Sequence, residues 1–189
     1  MGQPLRAHIT LREYEELPDD GFRYELVEGD LTMTPAPEPR HETASVNLVF
    51  ILERWRRAGG GGGRGMVFTA PVDVVLAFDT VVQPDLVYVS GERAATIVGK
   101  RIQGPPDLAV EVFYTQRADR DRVVKLNLYA KYRIREYWLI DLDAHTVTIL
   151  TLGSDGYEVS TSGSGDVGLA SPGLEGLVVV PAEVFDRVP

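Results

Sequence analysis

Two carboxylates stand inside apolar segments, where a charge is expensive. Asp85 lies in the run Val81-Val82-Gln83-Pro84-Asp85-Leu86-Val87-Tyr88-Val89, and Glu111 in Leu108-Ala109-Val110-Glu111-Val112-Phe113. An unpaired buried carboxylate is costly, so each is paired, metal-bound or turned to solvent. Plain strand alternation offers the solvent reading, with Asp107, Ala109, Glu111 and Phe113 on one wet face. Two carboxylates on neighbouring strands can instead reach one divalent ion through oxygen ligands, the chemistry that magnesium prefers. Asp107, which follows Pro106 as Asp85 follows Pro84, is a rival partner for Glu111. Four residues along a regular strand span about 13 Å, whereas magnesium–oxygen bonds are about 2.0–2.1 Å. Asp85 comes from another strand and carries no such restriction.

A helical spacing follows. Asp121, Lys125 and Tyr129 fall at i, i+4 and i+8 and share one face. One reading is a solvated Asp–Lys pair worth about a few tenths of a kcal/mol. The other leans Lys125 over the end of the Glu111 strand, where an ammonium can orient a water and offset charge in a phosphoryl transition state. Between 117 and 135, Arg117, Arg120, Arg122, Lys125, Lys131, Arg133 and Arg135 face only Asp119 and Asp121. In a chain of net charge −9 this local excess is a candidate phosphate-backbone surface, and equally a solvated helix face.

The elements that must carry these residues are legible from periodicity and punctuation. Thr10 caps a short helix through Glu16, with Glu13 completing a capping box. Phe22–Glu28 and Leu31–Thr34 read as strands joined by a hairpin at Glu28-Gly29-Asp30. After the stiff Pro35, Pro37 and Pro39, the stretch from about Arg40 to Arg57 is helical, with Ala44, Leu48, Ile51, Leu52 and Trp55 on one face. Gly59–Gly63 reads as a flexible loop. Its order of helix, glycines, strand is the reverse of a phosphate-cradling loop. Strands follow at Met66–Thr69, Val72–Ala77, Asp85–Ser90 and Leu108–Phe113. A helix covers Asp119–Tyr132, and strands return at Glu136–Asp141, Thr146–Leu152 and Leu177–Val180. The expectation is a single domain over 1–189, with a helical extension at 1–20 and a mobile Gly/Ser-rich loop at 160–171. The fold class is α/β (α+β), one mixed sheet covered by two main helices.

Composition narrows the chemistry further. The 189 residues, 44% hydrophobic and 25% charged, suit a domain that buries a sizeable core. The absence of cysteine removes disulfide scaffolds, thiolate zinc sites, iron–sulfur clusters and Cys nucleophiles. His8, His41 and His145 are far apart, so a metal would be held by carboxylates. The sequence contains no apolar stretch of membrane-spanning length. The expectation is a cytoplasmic protein with no membrane partner. The acidic total argues against a uniformly basic nucleic-acid coat, and not against a local basic groove.

Taken in order, these residues resemble the Uma-two family of the PD-(D/E)XK nuclease superfamily. The resemblance is carried by Tyr24-Glu25-Leu26-Val27-Glu28-Gly29-Asp30, Arg40-His41 and Val82-Gln83-Pro84-Asp85-Leu86. Its strongest piece is Pro106-Asp107-Leu108-Ala109-Val110-Glu111-Val112, continuing through Asp121, Lys125 and Tyr129 to Glu136-Tyr137-Trp138-Leu139-Ile140-Asp141. It implies a restriction-endonuclease-like fold, a mixed central sheet flanked by helices. It also implies metal-dependent hydrolysis of DNA phosphodiesters, with Mg²⁺ as cofactor and Mn²⁺ as a substitute. Asp85 matches the first acidic ligand of the superfamily and Glu111 the second. Phe113 stands where a lysine is expected, and Lys125 matches the helix lysine that takes its part. Glu25 matches an early acidic residue that completes the metal site, and His41 and Gln83 match positions near the cleft. One departure is the turn Phe113-Tyr114-Thr115-Gln116, where family members carry an apolar residue and a Ser-Pro-Ser-like turn at the rim of the site. The resemblance leaves two functions open: an endonuclease, acting as a homodimer if it cuts both strands, or a catalytically inactive module of the same fold used in binding or assembly.

Overall fold

The computed structural model describes residues 8–18, 20–34, 36–115 and 119–189, the side chains of 119–122 excepted. The chain opens with α1 (Leu11–Glu15), whose Thr10 cap and Glu13 form the expected reciprocal capping box. The hairpin of β1 (Arg23–Val27) and β2 (Asp30–Thr34) pairs Leu26 with Leu31. Helix α2 (Pro39–Arg57) starts on a proline, whose missing N–H costs nothing in a first turn. It buries Ala44, Leu48, Ile51, Leu52 and Trp55, the face that the spacing predicts.

The glycine run expected as a flexible loop is a tight turn at Gly60–Gly63. Aromatic rings sit where side chains would project. A Cβ on Gly60 would fall 2.2 Å from the Trp55 indole, and one on Gly61 2.2 Å from the Tyr88 hydroxyl. The glycines therefore answer a packing demand, with Trp55 and Tyr88 edge to face beneath them.

Next come β3 (Met66–Thr69), β4 (Val74–Ala77), β5 (Thr80–Val82), β6 (Leu86–Val89), α3 (Gly91–Ile97), β7 (Ile102–Gln103) and β8 (Leu108–Phe113). They are followed by α4 (Asp119–Lys131), β9 (Glu136–Asp141), β10 (Thr146–Leu152), β11 (Tyr157–Gly163), β12 (Leu169–Ala170), β13 (Val178–Val179) and α5 (Pro181–Val184). The strands divide over two main sheets, where the sequence suggested one. A six-stranded mixed sheet runs β11-β10-β9-β8-β6-β3, and a five-stranded one β2-β1-β5-β4-β7; β12 and β13 form a small pair. Two of the passages between the main sheets run through an X-Pro step, Ala70-Pro71 from β3 to β4 and Gln83-Pro84 from β5 to β6. Proline cannot donate to a ladder, so both crossings fall where pairing must stop.

The Gly/Ser-rich segment expected as a mobile loop at 160–171 begins as strand. β11 extends through Gly163 against β10, with hydroxyl pairs Thr148–Ser162 at 2.7 Å and Thr151–Ser160 at 2.5 Å. Its small polar residues suit an outer strand whose side chains bond across the ladder.

The six-stranded sheet is covered on both faces. Leu108, Val110, Trp138 and Ile140 pack toward α2, while Val87, Ala109 and Tyr137 pack with Leu128 and Tyr129 of α4. Leu108, Ala109 and Val110 are all fully buried, so the wet-face reading of β8 fails. Parity places Glu111, like Ala109, on the α4 side. The N-terminal segment covers the five-stranded sheet, with Ile9 and Tyr14 against Leu26, Val75 and Val81. Among the described residues no helix is long and apolar enough to cross a membrane.

Candidate active site

Strand register brings the two central carboxylates together. The antiparallel β6–β8 ladder pairs Leu86 with Val110 and Val87 with Ala109. Continued one step, it sets Asp85 opposite Glu111, and directly opposed side chains share a face. The Val112 N–H donates to Asp85 Oδ2 at 2.8 Å and closes this pairing.

Helix α4 then supplies the cation. Lys125 Nζ lies 3.0 Å from Glu111 Oε1 and 3.2 Å from Glu25 Oε1. The Tyr129 hydroxyl, one turn on, donates to the same Glu111 oxygen at 2.6 Å. The solvated-pair reading of Lys125 is thus overturned, since its side chain is only 10% exposed. The side chain of Asp121 lies outside the described residues.

Glu25 comes from the other sheet. Its Oε1 accepts the Gln83 backbone N–H at 2.7 Å, beside the proline crossing. The amide of Gln83 is itself held, Nε2 donating to Asp73 Oδ1 at 2.9 Å. His41, in the first turn of α2, sets Nε2 3.1 Å from Asp85 Oδ2. Arg23 approaches Asp85 Oδ1 at 3.9 Å and donates to the Gln83 carbonyl at 3.1 Å. Sequence reasoning missed Arg23. The signal for it was parity, because Arg23 and Glu25 are two apart in one strand and share a face.

Glu25, His41, Gln83, Asp85, Glu111 and Lys125 line one cleft of about 330 Å³ where the two sheets part. Tyr114, from the departing turn, forms part of its wall, with the Arg40 guanidinium 5.6 Å over its ring. The neighbouring Thr115 hydroxyl donates to Asp141 at 2.6 Å. Gln116 lies outside the described residues. Asp107 sits elsewhere, accepting from the Ser90 N–H and from Arg93 at the start of α3. The basic segment does not form one surface among the described residues. Lys125 points inward, Lys131 pairs with Glu28, and Arg135 lines a separate pocket beside Tyr88. Arg117 and the side chains of Arg120 and Arg122 lie outside the described residues.

Burial and crowding set the protonation states. Burial pushes the Glu111 carboxyl up to about 7; Lys125 opposes the shift, and the Asp85 and Glu25 charges add to it. Burial also works against a charge on Asp85, but the His41 contact, the Val112 N–H and Lys125 together hold its pKa below the usual carboxylate value. His41 is raised, because the bond and charge of Asp85 outweigh its own burial. Tyr129 is held well above its ordinary value by burial and by Glu111, so it remains a donor.

The oxygen donors here suit a hard divalent cation, and the Lys125 ammonium already occupies a cation's place between Glu25 and Glu111. Among the described residues no group of three His, Asp or Glu side chains is arranged to grip an ion alone.

The mixed α+β architecture is shared with a solved protein. The structure is similar to the crystal structure of "a putative nuclease belonging to DUF820" from Anabaena variabilis ATCC 29413. The two are 20% identical with a TM-score of 0.77, over 96% of this chain and 99% of that one. No curated protein matches the chain. The family model Uma2, described as "Putative restriction endonuclease", matches residues 11–183, and the chain belongs to that family.

Proposed function

We propose that this protein is a metal-dependent endonuclease that hydrolyses phosphodiester bonds in DNA. The observation that carries the reading is the convergence of Glu25 and Glu111, from two sheets, on the Lys125 ammonium, with Asp85 lining the same cleft. Magnesium takes one or two protein carboxylates and fills its shell with water and substrate phosphate oxygens, so a three-acid cage is not required. Asp85 and Glu111 would hold the ion, with the Val112 carbonyl and Glu25 completing the site and Mn²⁺ as a substitute. When bound, it supplies a polarised phosphate and a bound water of lowered pKa.

The chain's own groups do the rest. Lys125 is poised to donate to the attacking water and to offset charge growing on the phosphate. Tyr129 fixes the Glu111 oxygen that Lys125 shares, and His41 keeps Asp85 ionised. Arg23 gives the cleft rim a cation for a neighbouring phosphate, a contact that positions nucleic acid without reading its sequence.

The test is cleavage of supercoiled and linear DNA with Mg²⁺, Mn²⁺ or EDTA, beside purified Glu111→Ala. Nicking or linearisation that needs metal and is lost in the variant is the expected result. Cleavage retained by Glu111→Ala, or none by the wild type, would refute the reading.

A further inference from the structure

The space around Asp85 does not end with the acidic cleft. Arg23, Pro37, His41 and Asp85 line both that cleft and an adjoining hollow of about 510 Å³. Beyond these four residues the chemistry changes. Val46 and Val49 of α2 and the Ala70-Pro71 step give the hollow apolar walls, with Ser45 and Thr69 between them and Glu42 turned largely to solvent. The Ala70 N–H donates to the Asp85 carbonyl at 3.0 Å, which ties the apolar wall to the residue that carries the first acid. Val46 is 63% exposed. A single exposed valine needs no explanation; this one stands with Val49 and Pro71 around a concavity that borders the charged floor.

A nucleotide has the same two parts, an anionic phosphodiester and a base with apolar faces. The hollow falls within the range of about 300–1,000 Å³ that encloses small ligands. The floor of the cleft is recessed, with Glu25, Asp85 and Lys125 only 6%, 7% and 8% exposed. A duplex stays straight over about 150 base pairs and keeps its bases stacked inside. It cannot set a phosphate on this floor and a base beside it without extruding that base, at a cost in stacking and pairing. An unpaired strand bears no such cost. Resting on the endonuclease reading, we infer that the substrate is an unpaired DNA strand. One phosphodiester descends to the acids, and the adjacent base lies against Val46, Val49 and Pro71. Arg23 is shared by the two compartments and is held there by its bond to the Gln83 carbonyl at 3.1 Å, at the junction that the sugar–phosphate link must cross. Every base has a face to offer, so this subsite selects unpaired strands without selecting sequence.

Fluorescence anisotropy of labelled strands, with Ca²⁺ in place of Mg²⁺, tests this through binding alone. The probes are oligo-dT, a duplex of the same length, and an abasic deoxyribose-phosphate chain of the same length and charge. Oligo-dT should bind at least about tenfold tighter than either of the others. Val46→Ser should weaken oligo-dT binding by about tenfold, the worth of two methyl groups withdrawn from a base. It should leave the weaker binding of the abasic chain unchanged. Its circular-dichroism melt should match the wild type, since the residue is exposed and serine suits a helix surface about as well as valine. A duplex or an abasic chain bound as tightly as oligo-dT would overturn the inference. So would a Val46→Ser variant that binds oligo-dT as the wild type does, or a wild type that binds none of the three. A separate incubation with Mg²⁺ or Mn²⁺ keeps the two readings apart. Oligo-dT bound as expected and left uncut would refute the endonuclease and leave the unpaired-strand subsite standing, whereas duplex cut as readily as oligo-dT would do the reverse.

Discussion

Replacing Glu111 by glutamine should stabilise the metal-free protein, and only at neutral and alkaline pH. The folded carboxyl titrates at about 7 against an ordinary value of 4.5. Below 4.5 it is protonated in both the folded and the unfolded chain and makes no difference. Between 4.5 and 7 the unfolded chain ionises while the folded one keeps its proton, so ionisation favours unfolding. By the linkage relation, the stability present at pH 4 falls by about 3 kcal/mol once pH exceeds the folded value. Glutamine keeps an oxygen that can accept from Tyr129 and Lys125, and it has nothing to ionise. At pH 8 in EDTA, Glu111→Gln should therefore melt about 6–12 °C above the wild type for a domain of this size. At pH 4 the two should melt together. Thermal denaturation followed by circular dichroism at the two pH values is sufficient. An equal difference at both, or a variant less stable at pH 8, would refute the burial and crowding argument for this carboxylate.

The same proton competes with a metal. Mn²⁺ affinity by calorimetry should weaken about tenfold per pH unit below 7 and level off above it; a flat profile between pH 5.5 and 8 would remove Glu111 from the ligand set. Gly65→Ala would set a Cβ 2.2 Å from the Tyr88 hydroxyl. It should lose about 1–3 kcal/mol of stability in urea unfolding, and a neutral result would show that the Tyr88 ring can yield. Glu136 is fully buried and accepts from the Trp138 indole, the Ser171 hydroxyl and the Gly173 N–H. Glu136→Ala strands three donors and should cost about 3 kcal/mol or more. Hydrogen exchange should rise first at 171–174, and a variant that protects this segment as the wild type does would count against Glu136 as its anchor.

Glu111→Gln is also expected to be inactive as a nuclease. Activity and metal-free stability then pull in opposite directions at one residue. The carboxylate that the proposed chemistry needs is the one the fold holds least comfortably ionised, a pattern that marks functional sites.

Much of the architecture follows from contiguous sequence. The buried face of α2 is written in the spacing of Ala44, Leu48, Ile51, Leu52 and Trp55. The joint reach of Lys125 and Tyr129 to Glu111 is written in their four-residue interval, and the apolar runs around Asp85 and Glu111 mark strands whose charges need partners. These are properties of a backbone with a fixed period, and the period is local. What only the tertiary structure decided depends on pairing between distant segments. The β6–β8 register set Asp85 opposite Glu111; one residue of slip would turn it to the other face. The division into two sheets at Pro71 and Pro84 brought Glu25 and Arg23 to the cleft from a sheet that sequence alone had merged with the other. The glycine turn became rigid packing because Trp55 and Tyr88, thirty-three positions apart in the sequence, close on it from different elements. Local periodicity specifies which face of an element is apolar, and only long-range packing chooses what that face meets.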